Sequence, residues 1–147
     1  MKRYLIGSFL CAALLAAGAH PALADHEAGL RAYQKGDYTL AFKEFSKDGS
    51  AASQFILSLM YQQGDGTRQD LEASLALLHN AAEKGLDVAQ ASLGLMYLEG
   101  AGVKANEKEG LKWLARAADQ GLAEAKSALT LAGLDYPALG TTQLAAK

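Results

Sequence analysis

The chain has 147 residues, with 14 Lys and Arg against 16 Asp and Glu, three His and one Cys. A formal charge of −2 argues against a nucleic-acid binder, which carries a clear basic excess, and a lone cysteine rules out a disulfide framework or a multi-cysteine zinc site. With 50% hydrophobic and 20% charged residues the chain is not a disordered polymer, and 15 Gly against two Pro favours tightly packed helices punctuated by glycine.

Residues 1–24 read as a secretory signal peptide. Met1-Lys2-Arg3 is basic, Leu5 to Ala19 is apolar, and Ala22-Leu23-Ala24 makes an Ala-x-Ala exit. The apolar run is short for a membrane span of roughly 20 residues. Cys11 follows Leu10 rather than a small residue, which disfavours lipid attachment. Cleavage after Ala24 leaves 123 residues, 12 basic and 16 acidic side chains, no cysteine and a net charge of −4. The expected location is periplasmic or secreted.

Residues 25–50 form a first helical hairpin with a short turn. It contains Gly29-Leu30-x-x-Tyr33-x-x-Gly36-Asp37-Tyr38, then Ala41-Phe42-x-x-Phe45. Beyond it the chain repeats itself. Residues 51–86 laid over 87–122 without a gap give 13 identities in 36 positions, including Leu57/Leu93, Tyr61/Tyr97, Gly64/Gly100, Gly66/Gly102, Ala81/Ala117 and Gly85/Gly121. Chance gives about two or three. Leu93, Met96 and Tyr97 share one helical face, and Gly100-Ala101-Gly102 ends that helix. Asn106 and, one period earlier, Asp70 suit helix N-caps, with Glu107, Glu109 and Glu72 in the first turns. Leu111, Leu114, Ala117 and Ala118 carry the second buried stripe, and Gly121 closes it. Gly94, Ser58 in the first unit, and the Ala-Ala pairs let neighbouring helices approach closely. Residues 123–134 begin a third unit without a second helix and read as a capping helix. Pro137 and Gly140-Thr141-Thr142 mark 135–147 as a flexible tail.

The run Ala89-Gln90-x-x-Leu93-Gly94-x-x-Tyr97-x-x-Gly100-x-Gly102-Val103, followed by Lys112-Trp113-Leu114-x-x-Ala117-Ala118-x-x-Gly121, resembles the Sel-1-like repeat, a relative of the tetratricopeptide repeat. The first unit departs from that pattern at Ser58, Thr67 and Leu77. Residues 25–50 look like a tetratricopeptide-type hairpin whose second helix is short. The resemblance implies an all-α fold, a right-handed α-solenoid of antiparallel helix hairpins. It also implies a concave face, lined by the first helix of each hairpin, that grips a protein segment. Carried over residue by residue, that face comprises Ala52, Phe55, Leu59, Gln62 and Gln63, then Val88, Ala91, Leu95, Leu98 and Glu99, then Glu124, Ser127 and Leu131. Its large apolar members suggest an exposed docking patch, or else a face over which the N-terminal hairpin and tail fold.

No catalytic or metal set emerges. His26, beside Asp25 and Glu27, reads as part of a flexible polar terminus, although such an end binds copper weakly. His79 reads as a half-exposed helix residue and Trp113 as repeat core. Asp65-Gly66-Thr67-Arg68-Gln69-Asp70 lacks the glutamate a calcium loop needs, Ala76 standing in its place. No serine has a histidine that the repeat geometry brings near. The reading is a non-enzymatic interaction module without cofactor, an adaptor, assembly factor or regulator of a membrane or periplasmic complex, with another protein or peptide segment as partner. An immunity protein that neutralises a toxic effector is the alternative. A β-lactam-binding relative ranks below both, since those relatives are disulfide-stapled. N-terminal sequencing of the exported protein is expected to start at Asp25; an intact Met1 overturns the signal peptide.

Overall fold

The computed structural model describes residues 23–133. Nearly all of the expected signal peptide, residues 1–22, and the expected tail, 135–147, lie outside the described residues. Among the described residues seven helices follow one another: α1 Leu23–Gln34, α2 Tyr38–Lys47, α3 Ala51–Gln63, α4 Leu71–Glu83, α5 Asp87–Glu99, α6 Glu107–Asp119 and α7 Ala123–Leu131. There is no strand among the described residues. The chain divides into two compact units, one up to Leu77 and one from Leu78, the boundary falling inside α4.

The period shows first in how helices start and stop. The Asp70 carboxylate accepts from the N–H groups of Glu72 and Ala73 at 3.1 and 2.9 Å, and Asn106 accepts from Glu109 N–H at 3.2 Å. Each thereby satisfies donors that a helix start leaves unpaired. α3 and α5 both close on a left-handed glycine, Gly64 and Gly100, whose N–H donates to Met60 and Met96 carbonyls. α5 and α7 begin without a side-chain cap, at Leu86 and Leu122. The preceding helices α4 and α6 close through the same two residues: Leu86 N–H donates to Ala81 O and Leu122 N–H to Ala117 O.

In the first unit α1 packs on α2 and α2 on α3. Their core is Ala32, Ala41, Phe45, Ile56, Leu57 and Met60, with Leu30, Tyr33, Phe42 and Leu77 at its edge. α2 has 10 residues against 13 in α4 and α6, the shortening expected for the first hairpin. Gly29 makes the α1–α2 contact possible: a Cβ there would lie 2.6 Å from the Phe45 ring. Gly66, in the linker before α4, sits against the start of α2, where a Cβ would run into the Tyr38 carbonyl.

In the second unit α5 packs on α6 and α6 on α7. A Cβ on Gly94 would come within 2.8 Å of Leu114 Cγ and 2.9 Å of Gly110 O, and one on Gly110 within 2.8 Å of Gly94 O and Leu98. The two helices thus cross on a pair of facing glycines. Around that crossing Ala91, Leu114, Ala115, Ala117, Ala118, Ala125 and Leu129 form one core. Burying each leucine contributes about 1.5–3 kcal/mol. Gln90 is buried and ties the unit laterally, donating to Ala82 O at 3.0 Å and accepting from Gln120 at 2.8 Å.

Gly94→Leu is expected to lower stability by roughly 1–3 kcal/mol or more, because neither the Gly110 backbone nor Leu114 has room to retreat. Gly66 and Gly85 both have positive φ, +68° and +93°, but nothing lies within 4 Å of a Cβ on Gly85. Gly85→Ala should therefore cost only the conformational strain, about 1–2 kcal/mol. Gly66→Ala should cost clearly more, and equal melting temperatures for the two variants would remove the Tyr38 contact as a constraint.

Candidate functional site

The positions expected to line a concave face are split by the fold. In the first unit Phe55 is only 3% exposed, Ala52 and Leu59 are half-buried, and Gln62 and Gln63 are exposed. In the second, Ala91 is buried within the α5–α6–α7 core and Leu95 and Leu98 pack against that core. Val88 is half-buried, while Glu99, Glu124 and Ser127 are exposed. This corrects the expectation of an exposed apolar patch. The glycine crossing draws α6 over the side of α5 that carries Ala91, Leu95 and Leu98, so these residues are spent on the hairpin itself. What α3 and α5 leave to solvent near their C-termini is polar: Gln62, Gln63 and Glu99. Only Leu131, 89% exposed on α7, is both large and apolar at the surface among these positions.

The repeat positions take structural roles. Leu57, Ala81, Leu93, Trp113 and Ala117 are buried, Tyr61 and Tyr97 half-buried, and Gly64, Gly66, Gly85, Gly100, Gly102 and Gly121 all have positive φ.

His26 departs most from the sequence reading. Far from belonging to a loose terminus, it is 6% exposed, its ring tilted against Phe45 at 5.6 Å. Its Nδ1 lies 2.8 Å from Ser53 Oγ, so a serine–histidine pair exists after all. Ser53 Oγ donates to Asp48 Oδ2 at 2.6 Å, and Ser50 donates to the same carboxylate through its hydroxyl at 2.7 Å and its N–H at 3.1 Å. Because the single hydroxyl proton of Ser53 goes to Asp48, Nδ1 of His26 must be the donor to Ser53. The order of the three groups is therefore histidine, serine, carboxylate. A nucleophilic triad places the histidine in the middle and the serine at the surface. Ser53 is fully buried and its hydroxyl faces a carboxylate. The network is a fastener joining the start of α1, the α2–α3 turn and the start of α3.

The spacing Asp48-x-Ser50-x-x-Ser53 is legible in the sequence as a cap, and Ser50 does cap α3 by accepting from Ser53 N–H. Nothing local in it announces the histidine, which arrives from 27 positions away. The remaining candidates are local contacts. His79 Nδ1 is 3.4 Å from Glu83, its ring meets Trp113 edge-on at 5.7 Å, and the Arg116 guanidinium lies 4.6 Å from the centre of that indole. Asp65 faces the Tyr33 hydroxyl at 3.5 Å. Among the described residues no three His, Cys, Asp or Glu side chains gather as a metal site, and no helix is long and apolar enough to cross a membrane.

Paired helices with left-handed glycine stops, repeated at 36 residues, define a helical-repeat scaffold. Residues 51–86 and 87–122 each match the Sel1 repeat, so the chain carries two Sel1 repeats. Its backbone is similar to that of c5321, a protective antigen present in uropathogenic Escherichia coli strains that displays an SLR fold, with TM-score 0.68 and 36% identity over 74% of this chain and 25% of that one. It is also similar to a Sel1 repeat protein from Oxalobacter formigenes, with TM-score 0.67 and 31% identity over 76% of this chain and 49% of that one. The chain thus spans a quarter and about half of these two proteins. No curated protein matches it. Sel1-repeat proteins are in general protein–protein interaction modules.

Burial pushes the Asp48 carboxyl up, but the hydrogen bonds from Ser53 and Ser50, with His26 nearby, outweigh it and hold its pKa below 3.8. A folded pKa below the unfolded one stabilises the fold above the ordinary carboxylate range, and that contribution is lost as pH falls through the lowered value. Asp48→Asn should destabilise the first unit by about 1–3 kcal/mol near neutral pH. The gap from the unmodified protein should close as pH falls below the ordinary carboxylate range and through the lowered value. Thermal melts across that range showing a constant gap would break the link to ionisation.

Proposed function

We propose that this chain is an exported, non-enzymatic protein-binding module of the cell envelope, acting as an adaptor, assembly factor or regulator. One observation carries the non-enzymatic part. The serine, histidine and carboxylate that could have been read as chemistry are buried in a fastener, with Ser53 closed to any substrate. The protein-binding part rests on the general behaviour of Sel1 repeats and on the exposed amide and carboxylate side chains at helix ends of each unit, Gln62 and Gln63 in the first and Glu99 in the second, suited to hydrogen-bonding a polypeptide. The basic start, apolar core and Ala-x-Ala exit of residues 1–24 support delivery to the periplasm or medium. The partner in this reading is a protein segment, and no nucleic acid is involved.

A photo-crosslinking residue placed at Gln62 or Glu99 in the producing cell should form discrete protein adducts, and these should fractionate with the envelope or medium. Absence of adducts from both positions and from Leu131 would overturn the reading. Phe55 is unsuitable as a probe, because Phe55→Asp introduces a carboxylate into the core and unfolds the first unit.

A further inference from the structure

The expected cleavage point and the fastener of the first unit fall on one short stretch of chain. Ala24–Asp25 is the bond that an Ala-x-Ala exit offers to a leader peptidase, and α1 runs through it, from Leu23 to Gln34. Just beyond that bond, His26 is 6% exposed, with Nδ1 2.8 Å from Ser53 Oγ and its ring against Phe45. Gly29, one turn on, lies against the same ring, and Phe45 itself is wholly buried. The first turn of α1 cannot be drawn out without breaking the His26–Ser53 hydrogen bond and opening one side of Phe45.

A peptidase takes its substrate as an extended strand, with residues on both sides of the scissile bond inside the enzyme. It therefore acts on chain that is unfolded or has opened locally. The stretch around Ala24–Asp25 meets that requirement before the first unit folds. Once His26 is seated, the bond is cut only in proportion to the molecules in which α1 has opened. Cleavage also changes what the fastener holds. Water adds across the Ala24–Asp25 amide, leaving a carboxylate on Ala24 and an ammonium on Asp25, and His26 becomes the second residue of the chain. Such an end frays unless it is tied down. Here the Asp25 carboxylate, in the first turn of α1, offsets the new ammonium at the positive end of the helix dipole. His26 supplies the tie, through Ser53 to Asp48.

We infer that the His26–Ser53–Asp48 network is a maturation latch. It closes on the new chain end after the leader is removed, and a precursor that folds first locks its own cleavage point away. Removal of residues 1–24 and seating of His26 thus compete, with one productive order: cutting, then latching. The inference rests on the export reading above and adds to it the order of processing and folding, with the residues that enforce that order.

The test starts from the full-length precursor unfolded in urea and diluted into detergent buffer. Purified leader peptidase is present from the start or is added only after refolding, and mass spectrometry reads the cut. Peptidase present from the start should cleave after Ala24; added late, it should act at least about tenfold more slowly. Ser53→Ala and Asp48→Asn, both outside the stretch the peptidase binds, should speed late cleavage several-fold. Gly85→Ala, of similar expected cost to stability but placed in the second unit, should leave late cleavage slow. Amide exchange at Leu57 and Met60 verifies that each refolded variant keeps its core; if Ser53→Ala does not, Asp48→Asn carries the comparison. Late cleavage that neither latch variant speeds, or that Gly85→Ala speeds as much, overturns the latch. Equal cleavage after Ala24 in both protocols removes the latch alone and leaves export standing. Cleavage at another bond, or at none in either protocol, removes the export reading and the latch together.

Discussion

Two helix crossings in this protein are set where a helix has no side chain. Gly94 faces Gly110 across the α5–α6 crossing, and Gly29 receives the ring of Phe45 between α1 and α2. An interior glycine costs a helix about 1 kcal/mol of propensity relative to alanine. The close approach more than offsets that, since it brings Leu114 and Phe45 to complete burial and aligns the alanine stripes beside them. Because backbone meets backbone at Gly94 and Gly110, and backbone meets a buried ring at Gly29, small enlargements are felt by the whole hairpin.

The same economy explains why the apolar side of α5 is largely covered. A 13-residue helix with a small-residue contact lets its partner cover a wide arc, and Ala91, Leu95 and Leu98 fall inside it. Polar residues then do two jobs. Buried ones, Gln90 within the second unit and the His26–Ser53–Asp48 chain within the first, join elements that apolar contacts alone would leave free to slide. Exposed ones near the helix ends stay in contact with solvent.

Most of the architecture was legible before any coordinates. The 36-residue period, the helix stops at Gly64, Gly85, Gly100 and Gly121, and the caps at Asp70 and Asn106 follow from local backbone chemistry, which operates within a few residues of chain. Gly110 was not legible, because a lone glycine inside a helical pattern looks like a propensity defect until the helix that crosses it is known. His26 was missed for a related reason. Its partners are 22 and 27 positions away, and its neighbours Asp25 and Glu27 gave it the look of a solvated end.

The chain's own pattern thus determined what kind of object this is: an all-α, cysteine-poor repeat whose alanine and glycine excess is packing and punctuation. It did so because helix periodicity, caps and left-handed stops are properties of short stretches. Which side of each helix would be covered was decided only in three dimensions. Phe55, Ala91 and Leu95 share a face in sequence with Gln62 and Glu99, yet the first three are wholly or partly enclosed and the last two are exposed. Burial depends on how near the neighbouring helix comes, and that distance is set by the glycines on both sides of a crossing, which no single helix reveals.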